Sequence, residues 1–221
     1  MFRKFVRFLY IDLVTNSLLN KYWYPRKLPV ADVGNTVTLD FLSLKFKKSD
    51  FFHYAEFGAY KGDTAIKVAN YFPNSTLSIF DYSDRINEMS IRFQTISNKV
   101  SFFSNSYKLL DSYNYTLAKK IAIDPKFKLD YCFIDGAHTF AIDGLTFFLC
   151  DSILNVGGYL DFDDYDWNIS TSSMKHSKTM KKLFTQEQMQ DFQVKFIIDN
   201  FIKSNSRYRE IVPNRIFQKI A

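Results

Sequence analysis

Cysteine, glycine and proline are all scarce in this chain of 221 residues, which has two, seven and five of them. The two cysteines, Cys132 and Cys150, fall in predicted buried elements and offer no disulfide framework, so a reducing cytoplasmic setting is expected. There is no low-complexity tract, no internal repeat and no Ser/Gly linker, which excludes a linker-joined architecture and leaves one domain over residues 1–221. No apolar run approaches the ~20 residues that a membrane-spanning helix requires, so no transmembrane segment is expected. The amino-terminal stretch Met1–Tyr10 mixes basic and apolar residues without a long apolar region or a small-residue cleavage site, and is expected to be retained.

What the chain has in quantity is aromatic residues, 24 Phe and 14 Tyr, and an uneven charge. Residues 1–50 carry nine Lys and Arg against four Asp and Glu, residues 51–166 ten against fifteen, and residues 167–221 ten against four. An acidic centre thus lies between basic flanks. Such flanks suit an anionic substrate, an anionic membrane surface or nucleic acid, or simply keep an aromatic-rich protein soluble. No Arg-rich run or RNA-module signature accompanies them, which favours solubility over nucleic acid.

Hydrophobic spacing divides the chain into three segments. In residues 2–24, Phe2, Phe5, Val6, Leu9, Leu13 and Val14 recur at helical spacing, predicting an amphipathic helix that covers the main body, serves as a homo-oligomer contact or anchors the protein to a membrane surface. Pro25 and Pro29 break it, and a short helix follows over Leu39–Phe46. From residue 51 strands and helices alternate. Strands are expected at Phe51–Phe57, Thr76–Phe80, Val100–Ser104, Leu129–Ile134 and Gly158–Phe162. Helices are expected at Asp63–Tyr71, Arg85–Ile96, within Asp111–Ile123, and at Phe140–Leu154. Repeated βα units imply a parallel sheet with helices on both faces. The last segment predicts a loop at Asn168–Lys178, a helix at Gln186–Ile202 and two late strands, Tyr208–Val212 and Arg215–Ile220, forming an antiparallel hairpin that closes the sheet.

Ligands of open α/β sheets bind beyond the carboxyl ends of the strands. Asp135, in Phe133-Ile134-Asp135-Gly136-Ala137-His138, and Asp163 and Asp164, before Tyr165, fall at two such ends. Converging acids repel unless a proton or cation intervenes, so a hard divalent metal such as Mg²⁺ accounts for them economically. The first strand ends in Glu56-Phe57-Gly58-Ala59-Tyr60-Lys61-Gly62, just before a helix whose N–H groups and glycine turn allow close approach to a ligand. Asp81 ends the second strand, where an acid in a nucleotide-binding α/β fold takes ribose hydroxyls. Gly58-Ala59-Tyr60 breaks the Gly-x-Gly-x-x-Gly spacing of dinucleotide folds, which argues against a nicotinamide.

In these residues the chain resembles the class I S-adenosylmethionine-dependent methyltransferases, and within them the branch of macrocin O-methyltransferase-type sugar methyltransferases. The resemblance covers residues 51–166 well, residues 167–221 more loosely and residues 1–50 not at all. It implies a Rossmann-like sandwich with a seven-stranded, mostly parallel sheet, an antiparallel carboxyl-terminal hairpin and an amino-terminal helical extension. It also implies S-adenosylmethionine as methyl donor, held by Glu56, Gly58, Ala59, Tyr60, Gly62, Asp81, Asn105, Ser106 and Asp135. Asp135, Asp163 and Asp164 match the branch's metal-binding aspartates. Ser104-Asn105-Ser106 departs from the Gly-Asp-Ser of many relatives, and Asp161 interrupts the fifth strand where relatives are apolar.

Methyl transfer from a sulfonium is an in-line displacement helped by positioning and by water exclusion. The accepting hydroxyl must lose a proton, and Asp135 and His138 are the candidate catalytic residues, with His138 a candidate base. His53 and His176 have weaker cases, one within a strand and one in a Ser/Lys-rich stretch. Tyr165 and Trp167 are expected to wall the pocket mouth, and Asn168–Lys178 to act as a lid or a mere connection. Lys175, Lys178, Lys181 and Lys182 would suit a nucleotide-linked sugar. The expected activity is therefore metal-assisted O-methylation of a small hydroxylated substrate. Two other readings are an RNA methyltransferase and a binding module that has lost catalysis.

Overall fold

The computed structural model describes residues 34–108 and 111–221. The amphipathic helix expected in residues 2–24 lies outside the described residues. The first helix, α1 (Thr36–Lys45), is capped by the Asn35 side chain, which accepts from the Thr38 N–H. Next come β1 (His53–Phe57), α2 (Asp63–Tyr71), β2 (Thr76–Tyr82), α3 (Ser83–Arg92), β3 (Lys99–Asn105), α4 (Tyr113–Ile123) and β4 (Leu129–Ile134). A π-helical turn at Phe140–Gly144 leads into α5 (Leu145–Ile153) and β5 (Leu154–Phe162). The short helices α6 (Lys178–Leu183), α7 (Gln186–Gln190) and α8 (Gln193–Ile197) precede β6 (Tyr208–Val212) and β7 (Ile216–Lys219).

The strands form one seven-stranded sheet in the order β3-β2-β1-β4-β5-β7-β6. The first five are parallel, and β7 runs antiparallel to both β5 and β6, as the alternation and late hairpin predict. Alternate residues serve opposite faces, which is why these strands read as continuous apolar runs. Ala55, Phe57, Cys132, Ile134, Leu160 and Phe162 pack with residues of α4, α5 and α8. Tyr54, Tyr131, Phe133 and Tyr159 pack on the other face with residues of α1, α2 and α3. Asp161 shares that second face, under α1, and is fully buried.

Three expectations differ from the structure. Residues 168–178 are not a plain loop, because side chains supply helix caps through them. Asn168, Ser172 and Ser177 accept from the N–H groups of Thr171, Met174 and Met180, starting two 3₁₀ turns and α6. The helix expected over Gln186–Ile202 is broken. Thr185 and Gln188 form a capping box on α7, and the Gln193 amide donates back to the Gln188 carbonyl (2.7 Å). The same Gln193 side chain accepts from the Phe140 N–H at 2.8 Å, fixing α8 to the start of the π-helical turn. Finally, β5 begins at Leu154, where Gly157 takes φ +91° and the register against β4 shifts.

Candidate active site at the carboxyl edge of the sheet

Backbone bonds past the strand ends set the site's framework. The N–H of Gly58 reaches the Phe80 carbonyl (2.9 Å), that of Asp135 the Phe57 carbonyl (3.0 Å), and that of Asp163 the Ile134 carbonyl (3.0 Å). Gly58, Asp135 and Asp163 therefore stand in one row along the carboxyl edge. Gly58 has φ +86°, and a Cβ there would lie 2.3 Å from the Asp135 carbonyl oxygen and 2.5 Å from the Gly136 Cα. Only glycine lets the first loop cross the fourth strand's end so closely. The loop then turns through a Gly62 N–H to Ala59 carbonyl bond of 2.7 Å, with Tyr60 in the left-handed region at φ 52°. Ala59 is buried in the core beneath it, and Gly62 is the N-cap of α2.

Asp81 holds this loop in place. One carboxylate oxygen accepts from the Tyr60 N–H and the other from the Tyr82 N–H, each at 2.6 Å. Each oxygen keeps a lone pair, so the carboxylate can accept further hydrogen bonds. Burial pushes the Asp81 carboxyl above its ordinary range, and the two backbone donors oppose that shift. On the neighbouring strand Asn105 pairs with Tyr82 in the sheet register. Asn105 is 5 % exposed; its amide donates to the Ser106 carbonyl at 3.3 Å, and its Oδ1 has no partner among the described residues. An orphaned buried acceptor costs about 1–3 kcal/mol, which a ligand's N–H would recover. Tyr107 stacks on Tyr82 with centroids 4.1 Å apart and donates to Asp84, forming an aromatic edge beside Asn105. Ser106 instead turns to Asp111, which accepts from its N–H (2.7 Å) and hydroxyl (2.6 Å).

Glu56 lies inside, 3 % exposed, with the Tyr54 hydroxyl donating to it at 2.7 Å. Burial pushes its carboxyl up to about 8, against the opposing Tyr54 bond. A carboxylate whose folded value is raised stabilises the protein most at low pH and loses that contribution as pH rises. Stability of the ligand-free protein should therefore fall between about pH 4.5 and about pH 8. Denaturant midpoints measured across that window should show the fall, and Glu56→Gln should make it shallower, the remainder coming from Asp135, which is raised to about 9; parallel curves would contradict this assignment.

The acids at the ends of β4 and β5 separate into two groups. Asp163 belongs to a buried network: Arg215 Nη1 bonds Asp163 Oδ1, Arg215 Nε bonds Asp161 Oδ1 (2.5 Å), and Asn35 Nδ2 bonds Asp163 Oδ2 (2.8 Å). Thr38 and Tyr131 hydroxyls donate to the other Asp161 oxygen at 2.6 and 2.7 Å. Burial alone would lower the Arg215 pKa, but Asp161 and Asp163 more than offset it and hold the guanidinium charged. Asp161, unplaced by sequence reasoning, is thus a structural partner of Arg215 that ties β5, β7 and α1 together.

Asp135 and Asp164 converge elsewhere, with His138. Donor atoms of Asp135, His138 and Asp164 lie within 4.8 Å of one another, and His138 Nε2 is 3.4 Å from Asp164 Oδ2. Burial, then the Asp163 and Glu56 charges, push Asp135 up to about 9. Both His138 (φ 55°) and Asp164 (φ 57°) sit in the left-handed region. The loop that aims His138 is fixed from behind: Asp143 accepts from the Tyr113 hydroxyl (2.9 Å) and the Ala137 N–H (3.3 Å), and Tyr113 packs against Gly136. Trp167 walls this side, its ring 5.0 Å from that of His138. Tyr165 is not at the mouth; it is buried with its hydroxyl on Asp199 (2.9 Å). His53 lies at the opposite, amino end of β1, bonded to Ser78.

Sequence reasoning missed Arg215, Asn35 and Thr38. The one available signal was an acidic centre that needs an internal cation, which Arg215 supplies from the β6–β7 turn. Asn35 and Thr38 precede the recognisable motifs and carry no pattern of their own.

No protein-family model matches the chain, and a search of curated proteins finds no sequence match. Solved structures share its fold, that of class I methyltransferases. A protein described as an O-methyltransferase from Klebsiella pneumoniae superposes with a TM-score of 0.57 at 14% identity, over 98% of this chain and 96% of its own. The O-methyltransferase TomG of Streptomyces achromogenes, involved in tomaymycin synthesis and solved with S-adenosylmethionine, gives 0.56 at 11% identity over 98% and 96%. A protein described as a caffeoyl-CoA O-methyltransferase from Staphylococcus aureus gives 0.56 at 14% identity over 98% of both chains. Among the described residues no helix is long and apolar enough to cross a membrane.

Proposed function

We propose that this protein is an S-adenosylmethionine-dependent O-methyltransferase acting on a small hydroxylated substrate, a sugar or nucleotide-linked sugar, with a divalent cation beside the acceptor. The observation that carries the donor half is the orphaned Asn105 Oδ1, one strand from Asp81, whose carboxylate in turn holds the glycine loop. The donor set fits an adenosine: Asp81 accepts from the ribose hydroxyls, and Asn105 Oδ1 accepts from the adenine amine.

The acceptor half begins at Asp135, whose own backbone touches Gly58, so the two halves meet at that crossing. The reaction forms an oxygen–methyl bond, breaks the sulfonium–methyl bond and releases the hydroxyl proton. A bound cation would lower the pKa of the acceptor hydroxyl. Asp135 and Asp164 would hold it, with His138 beside them, while Trp167 limits water. Lys175, Lys178, Lys181 and Lys182 are exposed on the segment after Trp167 and would attract an anionic acceptor.

The test is transfer of labelled methyl from S-adenosylmethionine to a panel of sugars and nucleotide-sugars in the presence of a divalent cation. Turnover with no hydroxylated acceptor would reject the substrate class. Asn105→Ala should raise the donor KM about tenfold, a loss of one hydrogen bond, and leave the acceptor KM unchanged. Because it removes an orphaned acceptor, it should not lower the melting temperature of the ligand-free protein. An unchanged donor KM would remove Asn105 from the donor site.

A further inference from the structure

The geometry assigns the cation site to Asp135, His138 and Asp164 rather than to three aspartates, and we infer that it selects a first-row transition cation such as Mn²⁺ over Mg²⁺. This deepens the proposed function, on which it rests for the cation's place beside the acceptor.

Asp163 has already spent its charge. One oxygen bonds Arg215 and the other Asn35 (2.8 Å), and the Asp164 N–H also reaches its Oδ1 at 3.0 Å. Turning it towards a cation would take one of two carboxylates from the buried guanidinium and leave it Asp161 and Thr38 alone. Breaking such a buried pair is far more costly than leaving it in place. Asp135 is in the opposite condition: its half-buried carboxylate accepts no hydrogen bond from a described residue. His138 Nε2 and Asp164 Oδ2 face it, and all three donor atoms fall within 4.8 Å of one another.

That separation is near what a cation demands. Bonds of about 2.1–2.3 Å place neighbouring donors about 3 Å apart and opposite donors about 4.4 Å apart, so small side-chain movements close the set. The donor chemistry then sets the preference. Mg²⁺ takes hard oxygen ligands and sheds water reluctantly, whereas imidazole nitrogen favours transition cations and their affinities rise along the series from Mn²⁺. Two carboxylates and one imidazole on one side leave positions open for a substrate oxygen and water. In this arrangement His138 binds the cation through Nε2, and its role as a general base falls away.

The experiment uses the full chain. Calorimetric titration with Mn²⁺ and with Mg²⁺ gives the preference, and pulsed electron paramagnetic resonance of the Mn²⁺ complex reports a directly bound ¹⁴N. We expect Mn²⁺ to bind at least ~10-fold more tightly than Mg²⁺, with a ¹⁴N coupling. His138→Asn, which tolerates the left-handed backbone, should abolish the coupling and reduce the preference to about threefold or less. Asp163→Asn should keep both the coupling and Mn²⁺ affinity within about threefold. Mn²⁺ binding without ¹⁴N coupling, loss of binding in Asp163→Asn, or binding of S-adenosylmethionine with no cation binding would each overturn the assignment. A ¹⁴N-coupled Mn²⁺ site in a protein that binds no methyl donor would uphold the site and reject the methyltransferase reading.

Discussion

Replacing Arg215 by Met should lower the unfolding free energy by about 3–5 kcal/mol, because it removes the cation of a buried, charged network and leaves Asp161 and Asp163 uncompensated. Asp161 is fully buried and Arg215 is 8 % exposed, so water cannot take over the missing bonds. The loss falls on three elements together. Arg215 lies in the turn before β7, Asp161 is on β5, and Thr38 on α1 shares both partners. Urea unfolding should show the drop, and adding Asp161→Leu to Arg215→Met should recover part of it by removing the stranded carboxylate. A loss below about 1 kcal/mol would mean the pair behaves as an exposed salt bridge, contrary to its burial.

Gly58→Ala should weaken binding of S-adenosylmethionine about 100-fold, the scale expected when a site element shifts by about 1 Å. The added Cβ would meet backbone atoms of Asp135 and Gly136 at 2.3 and 2.5 Å, which cannot rotate aside as a side chain can. Backbone strain at φ +86° adds about 1–3 kcal/mol of destabilisation. If Asp135 carries the acceptor half as proposed, turnover of any donor still bound should fall as well. Calorimetry on the folded variant separates the two effects; donor affinity within about threefold of the parent would show that the loop does not approach the ligand.

The strands and the parallel character of the sheet were legible because buried parallel strands write apolar runs, and α2, β4 and β6 begin and end where periodicity and turn residues place them. Positions of Gly58, Asp81, Asn105 and Asp135 at strand ends followed from that pattern alone. What was not legible is how charges pair across the sheet. Asp161, Asp163 and Asp164 are near neighbours in sequence, but alternation buries Asp161 under α1. Asp163 is drawn to Arg215, 52 residues later, and the turn at Asp164 (φ 57°) sends that side chain towards His138. Sequence spacing placed three acids together; the distant guanidinium took one of them away. The broken carboxyl-terminal helix had local cause, in Thr185, Gln188 and Gln193, whose side-chain bonds compete with a continuous helix.

The most direct test of the central claim is isothermal titration of S-adenosylmethionine into the 221-residue chain, with and without divalent cation, alongside Asp81→Ala. The account predicts saturable binding at one site per chain, weakened at least ~10-fold in the variant, which loses both the loop anchor and the ribose acceptor. The absence of saturable binding under either condition, or equal affinity in Asp81→Ala, would contradict it.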